Sequence, residues 1–186
     1  MSKRVCPWWL GYLLISPLRR WMQNPEQLLA PYLRKGMTVL EPGPGMGFFT
    51  LPMAALVGAS GRVVALDLQE KMLEKLRRRA NKAGVQKQIE ARVVGPESMG
   101  LEDLRGKADF ALAFAVVHEV PSAERFFAEL AAALKTGGQC LLAEPGGHVS
   151  EEVFAKELEA AAKAGFQLVS RPPVQRSLAA VLRKGK

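Results

Sequence analysis

The sequence predicts an α/β fold built on a mostly parallel sheet, and three observations lead there. Strand and helix signals alternate from residue 37 onward. The strand candidates are apolar on nearly every residue, as expected of strands covered on both faces. A glycine-rich turn joins the first strand of the series to its first helix.

Taken in order, the first strand is Thr38-Val39-Leu40, ending at Glu41, and the helix after the glycine turn covers Phe49–Val57. Gly58 to Gly61 break that helix, and the second strand, Arg62–Leu66, ends at Asp67. A helix over about 70–83 puts Met72, Leu73, Leu76, Ala80 and Ala83 on one face, with Gly84 as its stop. The third strand is Glu90–Val94, and the fourth is Asp109–Ala115. Ser122 caps a helix with the inward stripe Phe126, Phe127, Leu130 and Leu134, and Gly137-Gly138 end it. The fifth strand is Gln139–Ala143. Ser150 caps a last helix with Val153, Phe154, Leu158 and Ala161 inward, closed by Gly165. Two final strands, Phe166–Ser170 and Ser177–Leu182, read as an antiparallel hairpin. Upstream, Asn24-Pro25-Glu26 is a helix start with proline at the first helical position.

At 186 residues the chain is expected to form one domain, with an N-terminal cap over 1–36 and an α/β core over 37–186. Lys and Arg total 26 against 18 acids, a net charge of +8 that suits an anionic substrate, an RNA backbone or an acidic membrane without choosing among them. Cys6 and Cys140 give no disulfide framework, and two histidines without a Cys/His cluster argue against a structural metal. This usage suits a reducing cytoplasm, the expected location. Met1-Ser-Lys-Arg before an apolar stretch has the outline of a signal peptide. Pro7, Pro17 and Arg19-Arg20 argue against that reading, and the stretch is too short to span a bilayer.

The central motif is Glu41-Pro42-Gly43-Pro44-Gly45-Met46-Gly47. Glycines there allow a sharp turn and let a ligand approach the peptide groups. A dinucleotide fingerprint starting at Gly43 would need glycine at position 48, which is Phe48. Glu41 would also repel a pyrophosphate and attract a cofactor bearing an ammonium and a sulfonium. S-adenosylmethionine carries both and no phosphate. Asp67, at the end of the second strand, can accept both ribose hydroxyls of an adenosine cofactor.

Together these segments resemble class I S-adenosylmethionine-dependent methyltransferases. Residues 39–47 are similar to their first motif, Val63–Leu68 to the second, Asp109–Glu119 to the fourth, and Leu134-Lys135-Thr136-Gly137-Gly138 to the turn before strand five. The resemblance implies a Rossmann-like seven-stranded sheet of order 3-2-1-4-5-7-6, with strand 7 antiparallel and helices on both faces. It implies that Glu41 faces the methionine ammonium, with Gly43, Pro44 and Gly45 in the turn lining the methionine and ribose. Asp67 would hold the ribose, Leu68 would pack on adenine, and Phe114 and Ala115 would sit beside the sulfonium. Many relatives bind the adenine amine through an aspartate after strand three. Here that stretch is Gly95-Pro96-Glu97-Ser98, so Glu97 or Ser98 is the expected substitute.

Methyl transfer needs a nucleophile held in line, and a nucleophile that carries a proton also needs a base. His118 follows strand four, at the sheet end where α/β folds place their sites, and is the candidate base or substrate-orienting group. A histidine packed over the cofactor is the equal alternative. Glu119 reads as structural, and His148 as a loop histidine in solvent, with lining the pocket at the same sheet end as the alternative. Arg77-Arg78-Arg79 read as a solvated helix face, supported by a Glu74–Arg78 pair. The aromatic segment Trp8–Leu14 is expected to fold as a lid from which Tyr12 reaches the methionine end, peripheral membrane contact being a further reading. The acceptor is expected to be a small molecule, as in the quinone C-methyltransferases that this chain resembles. An RNA methyltransferase and a non-catalytic cofactor-binding regulator are the alternatives.

Overall fold

The computed structural model describes residues 24–186. Its seven strands follow the order 3-2-1-4-5-7-6, the order that the sequence motifs implied. The chain divides into two compact units at Val94/Gly95.

In the first unit, Asn24 caps helix α1 (Pro25–Leu29), its side chain accepting from the Gln27 amide at 3.1 Å. Strands β1 (Thr38–Pro42), β2 (Arg62–Asp67) and β3 (Ile89–Val93) pair in parallel. Helices α2 (Thr50–Val57) and α3 (Glu70–Lys82) make the crossovers that parallel pairing demands. The apolar runs of β1 and β2 are buried, whereas β3 is only partly covered. Leu73 and Leu76 of α3 pack on Ala65 of β2, with Ile89 and Ala91 of β3 against them. Ala83, expected on this face, caps the helix and is exposed, because the chain turns away at Gly84 with φ of 70°.

In the second unit, β4 (Ala108–Phe114) pairs in parallel with β5 (Leu134–Pro145). Strand β7 (Ser177–Lys184) runs antiparallel to both β5 and β6 (Phe166–Ser170). Helices α4 (Ala123–Ala133) and α5 (Glu151–Lys163) are capped by Ser122 and Ser150 as expected. Two local expectations are corrected. Leu134 belongs to β5, not to the stripe of α4: it opens the strand opposite Ala108, and the Lys-Thr-Gly-Gly segment forms the irregularity before Gln139 pairs with Phe110. On α5 the inward residues are Phe154, Glu157, Ala160 and Ala161, while Val153 is exposed and Leu158 only half-buried. The alanine-rich helix offers little contrast between faces, so spacing alone placed the stripe imprecisely.

No described helix is long and apolar enough to cross a membrane. A tight point of the first unit lies where α2 turns into β2. A Cβ on Gly61 would sit 2.7 Å from the Val57 carbonyl oxygen and 2.5 Å from Val57 Cβ. Backbone cannot yield as a flexible side-chain tip can, so Gly61→Ala is expected to destabilise the fold by roughly 1–3 kcal/mol. Gly84→Ala, whose Cβ would enter open space at positive φ, is expected to cost only about 1 kcal/mol. Urea denaturation of the two variants checks the ranking, and equal midpoints would contradict it.

Candidate functional site

The carboxyl ends of β1 and β2 build a cradle in the first unit. Glu41 comes last but one in a buried strand, opposite Ala65, and is 3% exposed. The Thr50 hydroxyl, at the start of α2, donates to Glu41 Oε2 at 2.5 Å. Burial pushes the Glu41 carboxyl up to about 8, against a smaller downward pull from Thr50 and a further upward push from the Asp67 charge. The free protein thus holds Glu41 largely protonated at neutral pH, and a nearby cation would ionise it.

The turn after Glu41 is held by main-chain bonds. The Gly43 amide donates to the Leu66 carbonyl at 2.8 Å, and the Gly47 amide donates to Pro44 at 2.9 Å. Gly43, Gly45 and Gly47 all take positive φ. At Gly45 a Cβ would meet nothing within 4 Å, so the backbone at that residue faces open space. The Arg79 guanidinium reaches back from α3 to the Met46 carbonyl. Arg77 binds Glu70 at 2.5 Å and the Ala91 carbonyl at 3.1 Å. The expected solvated arginine face holds for Arg77 and Arg78, which are exposed, and is corrected only for Arg79, which is half-buried and reaches back to the glycine turn.

Asp67 Oδ1 accepts the Gln69 amide at 2.9 Å, which fixes the carboxylate at the end of β2. Beside it Leu68 presents an apolar side chain that is 41% exposed. A ligand fitting this cradle brings a cation to Glu41, hydroxyls to Asp67 and an apolar face to Leu68. It brings no phosphate, since a phosphate offers Glu41 no positive charge and Arg79 already bonds the Met46 carbonyl. S-adenosylmethionine meets each condition.

In the second unit the ends of β4 and β5 carry a different constellation. Phe114 is half-buried, and Ala115 takes a φ of 54°, a left-handed conformation that costs a residue with a Cβ roughly 1–2 kcal/mol. The Ala115 amide donates to the Ala143 carbonyl at 2.7 Å, and a 3-10 turn over Val117–Glu119 follows. The amides of Val116 and Val117 donate to Glu144 Oε1 at 3.2 and 2.7 Å, and His118 Nδ1 shares a hydrogen bond with Glu144 Oε2. Glu144 is fully buried. Its hydrogen bond raises the His118 pKa above the usual histidine value, against the opposing effect of burial; the charges of Glu144, Glu119 and Glu157 add to the rise. The exposed His148 ring lies 6.4 Å from that of His118, centre to centre.

Other expected site residues are placed as follows. Ser98 Oγ donates to Glu129 at 3.1 Å and accepts the Gly100 amide, so its hydroxyl serves its own loop. Glu97 is exposed and pairs with Arg125 at 2.7 Å. Tyr12, Cys6 and the aromatic lid segment lie outside the described residues. No group of three or more His, Cys, Asp or Glu suited to a metal occurs among the described residues. Sequence reasoning missed Thr50, Arg79 and Glu144. Glu144 had a signal: Glu144-Pro145-Gly146 repeats the Glu41-Pro42-Gly43 pattern at the end of another apolar strand.

Residues 33–176 match a family model described as a methyltransferase domain. A probable cobalt-precorrin-6B C(15)-methyltransferase (decarboxylating) of Pyrobaculum calidifontis is 31% identical over 137 residues, 71% of this chain and 60% of its own. The protein of the same description from Saccharolobus solfataricus is 45% identical over 53 residues, 28% of this chain and 27% of its own. The chain therefore spans less than two thirds of the length of these curated relatives. The crystal structure of an S-adenosylmethionine-dependent methyltransferase from Aquifex aeolicus superposes with a TM-score of 0.84 at 25% identity, covering 96% of this chain and 98% of that one.

The buried acid sets a pH dependence. Below pH 4.5 the carboxyl is protonated in folded and unfolded chains alike. As pH rises toward 8 only the unfolded chain gains by ionising, so the cofactor-free protein loses stability across that window. Glu41→Gln removes this loss and is expected to be more stable than wild type by on the order of 3 kcal/mol near neutral pH, with no such gain at pH 4. Urea denaturation at both pH values reads the difference, and a gap that stays constant would contradict the assignment.

Proposed function

This chain belongs to the class I S-adenosylmethionine-dependent methyltransferases, and we propose that it methylates a small-molecule acceptor whose proton is taken by His118. The observation that carries the reading is the difference between two strand ends. Glu41 is a buried acid awaiting a cation, whereas Glu144 is a buried acid already engaged with a histidine. The first suits the cofactor and the second suits the acceptor.

Bound S-adenosylmethionine supplies a methyl group on a positively charged sulfur, open to in-line displacement. Glu41, oriented by Thr50, receives the ammonium as a carboxylate. Asp67 accepts the ribose hydroxyls, Leu68 covers the adenine, and the backbone of Gly43, Pro44 and Gly45 lines the approach. Phe114 and Ala115 are assigned to the sulfonium side, and Tyr12 to the methionine end. Glu97 is the better adenine candidate of its pair, because the Ser98 hydroxyl is engaged with Glu129. His118 Nε2 would take the proton that the acceptor loses as its bond to the methyl carbon forms and the methyl–sulfur bond breaks, the electron pair leaving with a neutral thioether.

A small-molecule acceptor is supported by the curated relatives, whose described substrate is a cobalt-precorrin. The net charge of +8 suits an anionic acceptor. The same charge favours RNA as the second reading. Tritiated methyl transfer to a panel of a precorrin-type tetrapyrrole, a quinol and bulk tRNA separates them. Label in tRNA alone would reverse the choice.

Two variants separate cofactor from acceptor chemistry. Asp67→Ala is expected to weaken S-adenosylmethionine binding about 10- to 100-fold, the loss of charge-assisted bonds to hydroxyls. His118→Ala is expected to leave binding unchanged in calorimetry and to slow turnover about 100- to 10,000-fold on whichever acceptor is labelled. Undiminished turnover in His118→Ala would remove the base.

A further inference from the structure

We propose that Glu144 is the positioning residue that sets the proton of His118 on Nδ1 and leaves Nε2 as the hydrogen-bond acceptor offered to the methyl acceptor. The use of Nε2 rests on the proposed function above; the setting of the ring does not. In water a neutral histidine has a choice of tautomer, and the hydrogen bond made by one ring nitrogen decides which nitrogen keeps the proton.

Three features make Glu144 a device rather than a chance neighbour. First, its two oxygens are each met by a group of the same turn. Oε1 takes the Val116 and Val117 amides, and Oε2 takes His118 Nδ1, in a side chain that water does not reach. With both amides on Oε1, Oε2 is left to meet the ring. Second, the strained backbone at Ala115 precedes the two donating amides. The energy stored there is consistent with a turn shaped to bring three successive residues onto one carboxylate. Third, the other face of the ring is left for a ligand. Glu119 Oε1 stands 3.9 Å from Nε2, beyond hydrogen-bond reach, and the His118 side chain retains 21% of its exposure.

The charged and titratable groups around the ring are Glu144 from β5, Glu119 from its own turn, Glu157 from α5 and His148 from the loop after β5. The three acids favour the imidazolium. Its deprotonation therefore comes at higher pH than for an ordinary histidine, and the proton lost is the one on Nε2. The fully buried Glu144, with no exposure of its own, is assigned to orient the ring and not to touch the acceptor.

The test is nitrogen-15 histidine NMR on the whole chain with S-adenosylmethionine bound. The two histidine signals are assigned through His148→Gln. In wild type, His118 is expected to titrate above 6.5 and to emerge as the Nδ1–H tautomer, with His148 serving as the comparator. The Nε2–H tautomer in wild type would overturn the proposal without any variant. In Glu144→Gln the amide can donate to Nδ1, so the proton is expected on Nε2 and the titration midpoint lower than in wild type, while calorimetric binding of S-adenosylmethionine stays unchanged. An unmoved tautomer and midpoint in that folded variant would equally overturn it. A ring that flips in Glu144→Gln while the labelled acceptor is methylated as fast as by wild type would leave Glu144 as the setter of the ring and remove only the catalytic use of Nε2.

Discussion

Two glutamates at the ends of strands buried in the sheet must each be balanced where water does not reach, and the rest of the site follows from how each is satisfied. A carboxylate in that position is costly unless it is neutralised, hydrogen-bonded or paired. Glu41 is given one hydroxyl, from Thr50, and holds a proton at neutral pH because one donor is insufficient. Glu144 is given two amides and an imidazole. The same residue type, followed by the same Pro-Gly turn, thus serves two purposes set by its donors. Glu41 remains short of positive charge until a cationic ligand arrives, while Glu144 spends its capacity on shaping a turn and a histidine.

This contrast explains why the glycine turn is built as it is. A turn that cradled phosphate would leave its amides and a nearby cation free. Here amides are used to tie the turn to β2 and to itself, and Arg79 bonds the Met46 carbonyl. What remains open is the backbone around Gly45 and the apolar tip of Leu68, beside an acid that wants a cation. The selectivity against phosphate cofactors therefore lies in charge placement more than in the glycines, which many unrelated sites share.

The sequence was legible where local spacing carries the information. The three capped helices at Asn24, Ser122 and Ser150 and the positions of Glu41 and Asp67 at strand ends could be read from residues close together in the chain, while the strand order followed from the family resemblance. It was opaque where a side chain's partner is remote. Glu144 lies 26 to 28 residues from the groups that it binds, and Arg79 lies 33 from Met46. A helical wheel assigns Arg79 to solvent because it records where the side chain leaves the helix, not where a long flexible chain ends. The slip from Glu157 to Leu158 on α5 has another cause: in a helix rich in alanine, neighbouring positions differ too little in apolarity to fix the buried face.

The central claim is that Glu41 is a protonated acid in the free protein and a carboxylate against the cofactor's ammonium in the complex. Calorimetric titration with S-adenosylmethionine at pH 7, in two buffers of different ionisation enthalpy, measures the protons exchanged on binding. With Glu41 at about 8 in the free chain, and allowing for the cofactor's own amine near its ordinary value, release of about half to one proton is predicted for wild type and none for Glu41→Gln. Tight binding without proton release, or the same release from the variant, would contradict the account.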